Sequence, residues 1–326
     1  MAAILVSGGA GFIGAHVCKM LAEAGHVPVA FDNLSRGREA AVKWGPLVKG
    51  DIAVPGAIEA AIASHRAEAV IHLAGLAYVQ ESVADPLAYY LTNAVGSANV
   101  LAAMKAAGVR DIVLSGSCSV YADSATGAPL SESSPLGPVS PYARSKVMME
   151  KLAEDTAAAH GLRWVSLRYF NAAGADPEGA ASERDPGHSR AIPNVLRVAA
   201  GALAAYGING TDYPTNDGTC VRDYIHVCDL AAAHVAALDY LHRGGGETRL
   251  NLGTGQGHSV KVLVDTARRI TGKAIPTNDQ PRRAGDAAVR VADASLARKE
   301  LGWSPRWTKL DDMIAHAWAS RDWAAD

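Results

Sequence analysis

The sequence is poor in cysteine and shows no metal-ligand pattern. Its 326 residues include four cysteines, no two of them closely spaced, so neither a disulfide framework nor a zinc site is predicted. The eleven histidines show no metal-ligand spacing either. Unpaired cysteines suit a reducing compartment, and we therefore expect the protein in the cytoplasm. The cysteines are Cys18, Cys118, Cys220 and Cys228.

Net charge and long apolar runs are also missing, and this limits the expected partners. A formal net charge of −2 gives no general attraction to nucleic acid or to an anionic membrane. No segment approaches the ~20 apolar residues that a membrane span needs. The apolar start, Met1 to Val6, lacks a basic region and runs straight into glycines, so it predicts a buried strand rather than a signal peptide. Small molecules are therefore the expected partners.

Short apolar strands alternate with helical stretches through the first half of the chain, which is typical of βα units on a parallel sheet. After Arg168 proline, glycine and aspartate become frequent and the periodicity weakens, so a smaller second lobe is predicted to begin there. Strands are predicted at 4–6, 27–31, 69–73, 112–114, 164–167 and 249–252. Helices are predicted at 12–24, 86–107, 141–160, 227–240 and 260–270.

A glycine cluster follows the first predicted strand directly. Gly8, Gly11 and Gly14 permit a tight turn, close approach of a pyrophosphate and close packing of helix on strand. The helix that follows offers free N–H groups to phosphates. The second strand ends at Asp32, whose carboxylate can accept hydrogen bonds from the hydroxyls of an adenosine ribose. These features predict a nicotinamide dinucleotide site.

The same segment bears on which dinucleotide is bound. The carboxylate of Asp32 repels a 2′-phosphate, so NAD is predicted rather than NADP. Arg36 and Arg38 lie just beyond and could reach a 2′-phosphate, although we favour their interpretation as solvated loop residues. The predicted fold class is therefore α/β, a doubly wound parallel sheet of Rossmann type with a smaller C-terminal substrate-binding α/β lobe. We expect the NAD-binding domain at 1–170, with later returns at about 224–260, and mainly the substrate lobe at 171–326.

Tyr142 and Lys146 form a candidate proton-transfer pair. Residues four apart share one face of a helix, and of the ten tyrosines only Tyr142 has lysine at the fourth following position. A neighbouring cation favours the phenolate, so Lys146 is expected to lower the pKa of Tyr142. The strand at 112–114 runs into Ser117 at its carboxyl end, where ligands of open parallel sheets bind. Ser119 is the second candidate for the hydroxyl at this position, and Ser115 is expected only to cap a turn.

Ser117, Tyr142 and Lys146 together resemble the catalytic residues of the short-chain dehydrogenase/reductase superfamily, and the length of the chain is similar to that of the extended members. The resemblance implies that Tyr142 exchanges a proton with the substrate hydroxyl and that Ser117 hydrogen-bonds the same oxygen. It also implies that Lys146 holds the nicotinamide ribose and depresses the pKa of Tyr142.

Spaced motifs in the second half narrow the resemblance to the UDP-glucose 4-epimerase family. The segments at 217–227, 251–255 and 282–286, together with those at 51–52 and 168–171, look like the signatures of that family. The resemblance implies binding of a UDP-sugar. The substrate contacts it implies are Ser117, Tyr142, Asn171, Asn194, Tyr206, Arg222, Arg283, Asp286 and Arg290. The NAD contacts it implies are Gly8, Gly11, Phe12, Ile13, Gly14, Asp32, Asn33, Asp51, Ile52, Leu73, Ala74, Gly75, Asn93, Ser117, Tyr142, Lys146, Tyr169 and Phe170.

The mechanism implied by the resemblance is a reversible transfer of hydride. Tyr142 removes the proton of the sugar 4-hydroxyl while the C4 hydride passes to NAD, and the bound 4-ketose takes the hydride back on its other face. A 4,6-dehydratase is the less favoured alternative, because its carboxylate is missing from the segment after Ser117. A non-enzymatic NAD-binding regulator is a further alternative, but it would have no reason to keep serine, tyrosine and lysine together.

Three departures from the family pattern leave the sugar open between UDP-glucose, UDP-xylose or UDP-arabinose, the N-acetylhexosamines and UDP-glucuronate. Ala77 stands where some members have a lysine near the cofactor. Val195 stands where some have a substrate-binding asparagine, a role open to Asn194 beside it. Arg290 could narrow the sugar pocket, pair with a uronate carboxylate or point to solvent. The superfamily resemblance also implies a homodimer.

Overall fold

The computed structural model describes residues 1–124, 127–183, 190–283, 285–321 and 323. Ala284, within the predicted 282–286 motif, lies outside them. The first part of the chain forms β1 (Ala3–Ser7), α1 (Phe12–Glu23), β2 (Val27–Asp32), β3 (Leu47–Lys49), α2 (Ala57–His65), β4 (Ala69–His72), α3 (Val79–Ala84), α4 (Pro86–Tyr89), α5 (Gly96–Ala107), β5 (Asp111–Ser117), α6 (Pro141–His160) and β6 (Arg163–Tyr169). The remainder forms β7 (Asn171–Ala173), α7 (Ala191–Ala199), β8 (Tyr206–Asn209), β9 (Val221–His226), α8 (Val227–His242), β10 (Thr248–Leu252), β11 (Gly257–Ser259), α9 (Val260–Thr271), β12 (Thr277–Gln280), β13 (Val289–Arg290), α10 (Ser295–Leu301) and α11 (Leu310–Ala319).

A seven-stranded sheet with the order β10-β6-β5-β4-β1-β2-β3 forms the centre of the molecule. Every neighbouring pair in it is parallel. The strand order reverses between β1 and β4, and the carboxyl ends of the strands open a crevice at such a point, where ligands bind. The sequence prediction of a Rossmann-type parallel sheet is confirmed.

Helices cover both faces of this sheet because its strands are apolar on both sides. On one face Val17 and Leu21 of α1 share a buried cluster with Leu230 and Leu238 of α8. On the other face α2, α5 and α6 supply the buried side chains. They include Ile58, Ile62, Val100, Met104 and Met149.

A second, smaller group of strands follows β6. β9 pairs with β11, β13 and β7, and β8 pairs with β12. The core of this region joins α7, α9 and α11 through side chains such as Val195, Leu263 and Ile314. No helix in the described ranges is long and apolar enough to cross a membrane.

The predicted strands agree with the structure to within about a residue or two at most ends. The stretch predicted as one helix at 86–107 contains a π-helical segment, Tyr90–Val95, between α4 and α5. The sequence did not predict β3, α2, α3 or most of the elements after β6, because each of them has ten residues or fewer and periodicity is recognised over longer windows.

Candidate active site

The glycine loop between β1 and α1 leaves no room for side chains. Gly8 has φ +78°, a conformation that L side chains rarely adopt, and a Cβ on it would lie 2.7 Å from the backbone nitrogen of Ala74. A Cβ on Gly14 would lie 2.0 Å from the carbonyl oxygen of Gly8. Gly11 precedes the first turn of α1 as its N-cap. Since the backbone amides at the start of α1 can therefore approach a ligand closely, the loop fits a pyrophosphate.

Asp32 closes β2 beside this loop, where the sequence predicted it. Its carboxylate accepts hydrogen bonds from the backbone nitrogens of Leu34, at 2.8 Å, and Ala10, at 3.0 Å. Burial raises the pKa of Asp32, and these two hydrogen bonds oppose the rise. Asn33 donates to Asp51 at 2.9 Å, which brings two more predicted cofactor residues together.

Arg36 is exposed, as the sequence predicted, and it also has an acidic and an aromatic partner. Its Nη2 lies 2.9 Å from both carboxylate oxygens of Glu81, and its guanidinium lies 5.5 Å from the ring centre of Tyr78. Arg36 and Arg38 both line the cavity beside the glycine loop. The ion pair with Glu81 reduces the positive charge that Arg36 offers to a 2′-phosphate.

Two adjoining cavities meet at Tyr142. The first, of about 580 Å³, runs from the glycine loop past Leu73 and Gly75 to Lys146, and we call it the cofactor cavity. The second, of about 530 Å³, reaches from Ser117 to the residues between β8 and β13, and we call it the substrate cavity. The residues that line both are Ile13, Ala77, Tyr78, Tyr142, Tyr169 and Arg190.

The predicted cofactor residues are not all on the cavity wall. Gly8, Gly11, Phe12, Ile13, Gly14, Leu73, Gly75, Tyr142, Lys146 and Tyr169 line the cofactor cavity. Ser117 and Phe170 line the substrate cavity. The predicted residues that line neither are Asp32, Asn33, Asp51, Ile52, Ala74 and Asn93. Asn93 instead ties the loop after β4 to α6, through Leu76 at 2.8 Å and Ser145 at 2.9 Å.

Tyr142 sits in the first turn of α6 because two residues define where that helix begins. Ser140 is the N-cap and accepts a hydrogen bond from the backbone nitrogen of Ala143 at 3.1 Å, and Pro141 starts the helix. Tyr142 is thereby placed opposite the end of β5, and it lines the same cavity as Ser117, whose hydroxyl acts to lower its pKa. The structure thus brings the two predicted groups to one cavity wall.

The pKa of Tyr142 differs from the sequence expectation. Burial raises it above the ordinary value, and the hydrogen bond to Ser117 opposes that rise. The ammonium of Lys146 lies over the Tyr142 ring, 6.0 Å from its centre, but it donates its hydrogen bond to Ser115 Oγ at 2.9 Å. Burial also lowers the pKa of Lys146 to about 8, against the carboxylate of Glu150. Ser117 rather than Lys146 is therefore the side chain that draws the pKa of Tyr142 down.

Ser115 is a site residue that the sequence interpretation reduced to a turn cap. Its hydroxyl accepts the hydrogen bond from Lys146, and it also opposes the rise that burial causes in the pKa of Tyr169. The available signal was strand alternation, because Ser115 and Ser117 are two apart in β5 and so point to the same face.

A buried ion pair behind Lys146 was also missed. Glu150, one turn further along α6, accepts hydrogen bonds from Arg168 at 2.6 and 2.9 Å and from Ser166 at 2.7 Å. The side chains of the pair are 2% and 4% exposed. The pair ties α6 to β6 and so fixes the helix that carries Tyr142 and Lys146.

The substrate cavity gathers the predicted diphosphate ligands. Arg222 is oriented by the carbonyl oxygens of Val221 at 2.9 Å and Ala287 at 2.8 Å, and its Nη2 lies 3.6 Å from Asp286. Asn171 is fixed by a 2.8 Å bond to the carbonyl oxygen of Asp223. The predicted substrate residues on this wall are Ser117, Tyr142, Asn171, Asn194, Tyr206, Arg222, Arg283 and Asp286.

Two of the departures can now be located. Val195 is buried in the core of the second region, whereas Asn194 beside it lines the substrate cavity. Arg290 is not among the residues that line the cavity. Its guanidinium donates to the carbonyl oxygen of Cys118 at 2.7 Å and to Asp123 at 2.9 Å. These acceptors draw Arg290 behind the loop that carries Ser117, so it neither narrows the pocket nor points freely to solvent.

Comparisons with known proteins agree with this geometry. A family model described as "NAD dependent epimerase/dehydratase family" matches residues 4–253. The UDP-glucose 4-epimerase of Rhizobium meliloti (strain 1021) is 45% identical over 317 residues, covering 97% of this chain and 95% of that protein. The crystal structure of UDP-glucose 4-epimerase from Brucella ovis in complex with NAD has a TM-score of 0.94 and 43% identity, and 98% of each chain is covered. UDP-glucose-4-epimerase from Stenotrophomonas maltophila, with bound NAD and formylated UDP-arabinopyranose, has a TM-score of 0.94 and 41% identity with the same coverage. The chain therefore belongs to the NAD dependent epimerase/dehydratase family.

Proposed function

We propose that this chain is an NAD-dependent UDP-glucose 4-epimerase that interconverts UDP-glucose and UDP-galactose. The observation that carries the proposal is the position of Tyr142, on the same cavity wall as Ser117 and at the place where the two cavities meet. A base at that junction would contact both a nicotinamide in one cavity and a sugar in the other. The similar proteins named above support this substrate class.

The reaction needs a base, a hydride acceptor and a firmly held diphosphate. NAD, when bound, would supply a reversible acceptor for the C4 hydride, so the chain's own residues have to handle only the proton and the positioning of the substrate. Tyr142 removes the proton of the 4-hydroxyl, and Ser117 donates a hydrogen bond to the same oxygen as it becomes a ketone. Lys146, held by Ser115, faces the cofactor cavity and would hold the nicotinamide ribose.

Inversion at C4 requires that the sugar turn while the nucleotide stays. Arg222 and Arg283 line the substrate cavity away from Tyr142, and their guanidinium groups suit phosphate oxygens. Binding energy committed to the diphosphate leaves the sugar ring free to present either face. The proton taken by Tyr142 is returned when the hydride returns, so the cycle is balanced.

The loop after Ser117 argues against dehydration. Cys118, Ser119 and Val120 form a short 3₁₀ turn, and none of them carries a carboxylate that could remove a proton from a neighbouring carbon.

The identity of the sugar is less narrowly defined. UDP-xylose and UDP-arabinose differ from the hexoses by one hydroxymethyl group, which a pocket detects weakly, and they are the second candidate substrates. The Stenotrophomonas maltophila structure, with its formylated UDP-arabinopyranose, favours this second candidate.

The test is to incubate the purified protein, without added NAD, with each UDP-sugar and to look for the C4 epimer by nuclear magnetic resonance. We expect UDP-glucose to give UDP-galactose. Tyr142→Phe should abolish turnover and keep the bound NAD, because it removes only the phenol oxygen. No epimer from any UDP-sugar would refute the proposal.

We also propose a homodimer formed through an exposed apolar face. Val83, Leu87, Leu91 and Val95 recur at four-residue intervals along α3, α4 and the π-helical segment, and Met148 of α6 is exposed as well. Two helices with apolar faces suit the same two helices of a second copy, as in a four-helix bundle with an isologous interface. Light scattering should report a dimer for the parent and for the control Val262→Glu on α9, and a monomer for Leu91→Glu. A dimeric Leu91→Glu would contradict this assignment.

The domain boundaries and the cytoplasmic location remain parts of the same proposal. We place the NAD-binding domain at 1–170 with returns at 224–260, because β10 pairs with β6 and α8 shares a core with α1. Residues 171–326 otherwise carry the diphosphate ligands.

The four free cysteines support a reducing compartment, and cell fractionation would test the cytoplasmic location.

A further inference from the structure

A turn from the second half of the chain lies across the cofactor cavity. Residues 176–182, which we call the 176–182 turn, place Gly179, Ala180, Ala181 and Ser182 on the wall of that cavity, together with the glycine loop. Asp176 closes the turn on itself. Its backbone nitrogen donates to the carbonyl oxygen of Ala181 at 3.0 Å, and its carboxylate accepts from the backbone nitrogen of Ala180 at 2.9 Å. The turn is therefore a formed piece of cavity wall.

Two lysines of the first lobe fasten this turn. Lys19 belongs to α1, the helix that the glycine loop starts, and its Nζ lies 2.9 and 3.0 Å from the carboxylate oxygens of Asp176. The same ammonium donates to Glu178 at 2.8 Å. Lys43, which also lines the cofactor cavity, donates to the carbonyl oxygen of Ala180 at 2.7 Å. The turn is thus tied to residues on two sides of the dinucleotide site.

The Lys19 contact is better protected than an ordinary surface ion pair. The side chain of Lys19 is 15% exposed and that of Asp176 is 3% exposed. Burial works to lower the pKa of Lys19, but hydrogen bonds to Glu178 and Asp176 outweigh it and the pKa is raised. The pKa of Asp176 moves the other way: burial raises it, and the bond to Lys19 brings it below its ordinary value. Both groups are therefore charged at neutral pH, and solvent screens the pair only in part.

We propose that Lys19, through the 176–182 turn, retains the dinucleotide in its cavity between turnovers. The proposal rests on the proposed function, in which each turnover regenerates NAD and no exchange with solution is needed. A dinucleotide under this turn leaves only after the turn moves, and that movement breaks the contacts of Lys19 with Asp176 and Glu178 as well as that of Lys43 with Ala180. Lys19 is thus a positioning residue that acts on the rate of cofactor release and not on the chemical steps.

The test measures exchange of bound NAD with isotopically labelled NAD, followed by mass spectrometry of the nucleotide released from the protein. Lys19→Met should exchange NAD roughly 10- to 100-fold faster than the parent, the range expected for loss of a charge-assisted hydrogen bond. Lys19→Arg should restore slow exchange, because it keeps the charge. Lys299→Met is the matched control, since Lys299 on α10 is 78% exposed and, within the described ranges, is paired only with Glu300. With saturating NAD the kcat of Lys19→Met should equal that of the parent.

A second variant guards against misfolding of Lys19→Met. Asp176→Asn keeps the side-chain oxygen that the Ala180 amide needs and removes the charge that Lys19 contacts, so it should also speed exchange. The proposal is overturned if Lys19→Met and Asp176→Asn both exchange NAD as slowly as Lys299→Met. Its failure is distinguishable from failure of the proposed function, because exchange is measured without a UDP-sugar. A parent protein that binds NAD but forms no epimer refutes the function and leaves the exchange comparison intact.

Discussion

Replacing Ser117 by alanine should move the pH profile of the reaction toward higher pH. Burial raises the pKa of Tyr142, and the hydrogen bond with Ser117 is the largest influence in the opposite direction. Tyr142 has to be deprotonated to act as the base, so the rate rises as pH passes through its pKa. Without the Ser117 hydroxyl that pKa increases, and the acid limb of the profile shifts upward.

The size of the shift follows from the hydrogen bond that is lost. A bond to a charged group contributes about 1.5–3 kcal/mol, and one pKa unit corresponds to about 1.4 kcal/mol, so the limb should move by about 1–2 pH units. In the proposed mechanism Ser117 also donates to the reacting oxygen, and losing such a donor costs roughly 10²- to 10³-fold in kcat. The KM for UDP-galactose should change little, because Arg222 and Arg283 are untouched.

The assay is run on the NAD-bound protein, in which the positive nicotinamide ring beside Tyr142 would lower its pKa into the range measured. It follows conversion of UDP-galactose to UDP-glucose by a coupled dehydrogenase between about pH 5.5 and pH 10. Ser119→Ala is the matched control. Ser119 Oγ lies 2.9 Å from Ser117 Oγ, but Ser117 and not Ser119 lowers the pKa of Tyr142, so Ser119→Ala leaves that influence in place. If Ser119→Ala moves the acid limb as far as Ser117→Ala does, or if neither moves it, Ser117 does not control the pKa of Tyr142.

Three further changes test the loop, the helix anchor and the diphosphate site. Gly14→Ala places a Cβ 2.0 Å from the Gly8 carbonyl oxygen, so this variant should purify without bound NAD. The control Gly246→Ala adds its Cβ in open space and should keep its NAD, and equal NAD content in the two variants would contradict this prediction. Glu150→Gln leaves Arg168 buried without its counter-charge and should lower the free energy of unfolding in urea by about 3 kcal/mol, whereas a loss below ~1 kcal/mol would show the pair to be dispensable. Arg222→Met should weaken UDP binding roughly 10- to 100-fold by calorimetry and leave the NAD content unchanged, and unaltered UDP affinity would remove Arg222 from the site.

Local rules were enough to predict much of the dinucleotide half. The turn from β1 into α1 can be predicted from the local sequence, because only glycine fits at positions 8 and 14. Ser140 and Pro141 likewise define the start of α6 in sequence, and the four-residue spacing then places Tyr142 and Lys146 on one face. Features of this kind depend on neighbours along the chain and can be predicted from it.

Features that depend on distant segments were out of reach. Whether Lys146 turns to Tyr142 or to Ser115 is decided by the packing of α6 on β5, and Arg290 is drawn to the carbonyl oxygen of Cys118, some 170 residues earlier. The π-helical segment has no sequence signature, since it is held by the bonds of Asn93 to Leu76 and Ser145. Contacts between residues so far apart in the sequence become visible only in the tertiary structure.

The place of β10 in the large sheet has a consequence for biosynthesis. β10 forms the edge of that sheet beside β6, and the chain builds β7, α7, β8, β9 and α8 between the two. When β6 has been synthesised, β10, which pairs with the free edge of β6, has therefore not yet been made. The same is true of α8, which covers the adjoining face of the sheet. During that interval the nascent chain presents an open, apolar strand edge of the sort that pairs with other chains. We expect it to depend on chaperones until Leu252 has emerged, and a chain stopped at residue 170 to aggregate rather than to fold as a free-standing nucleotide-binding domain.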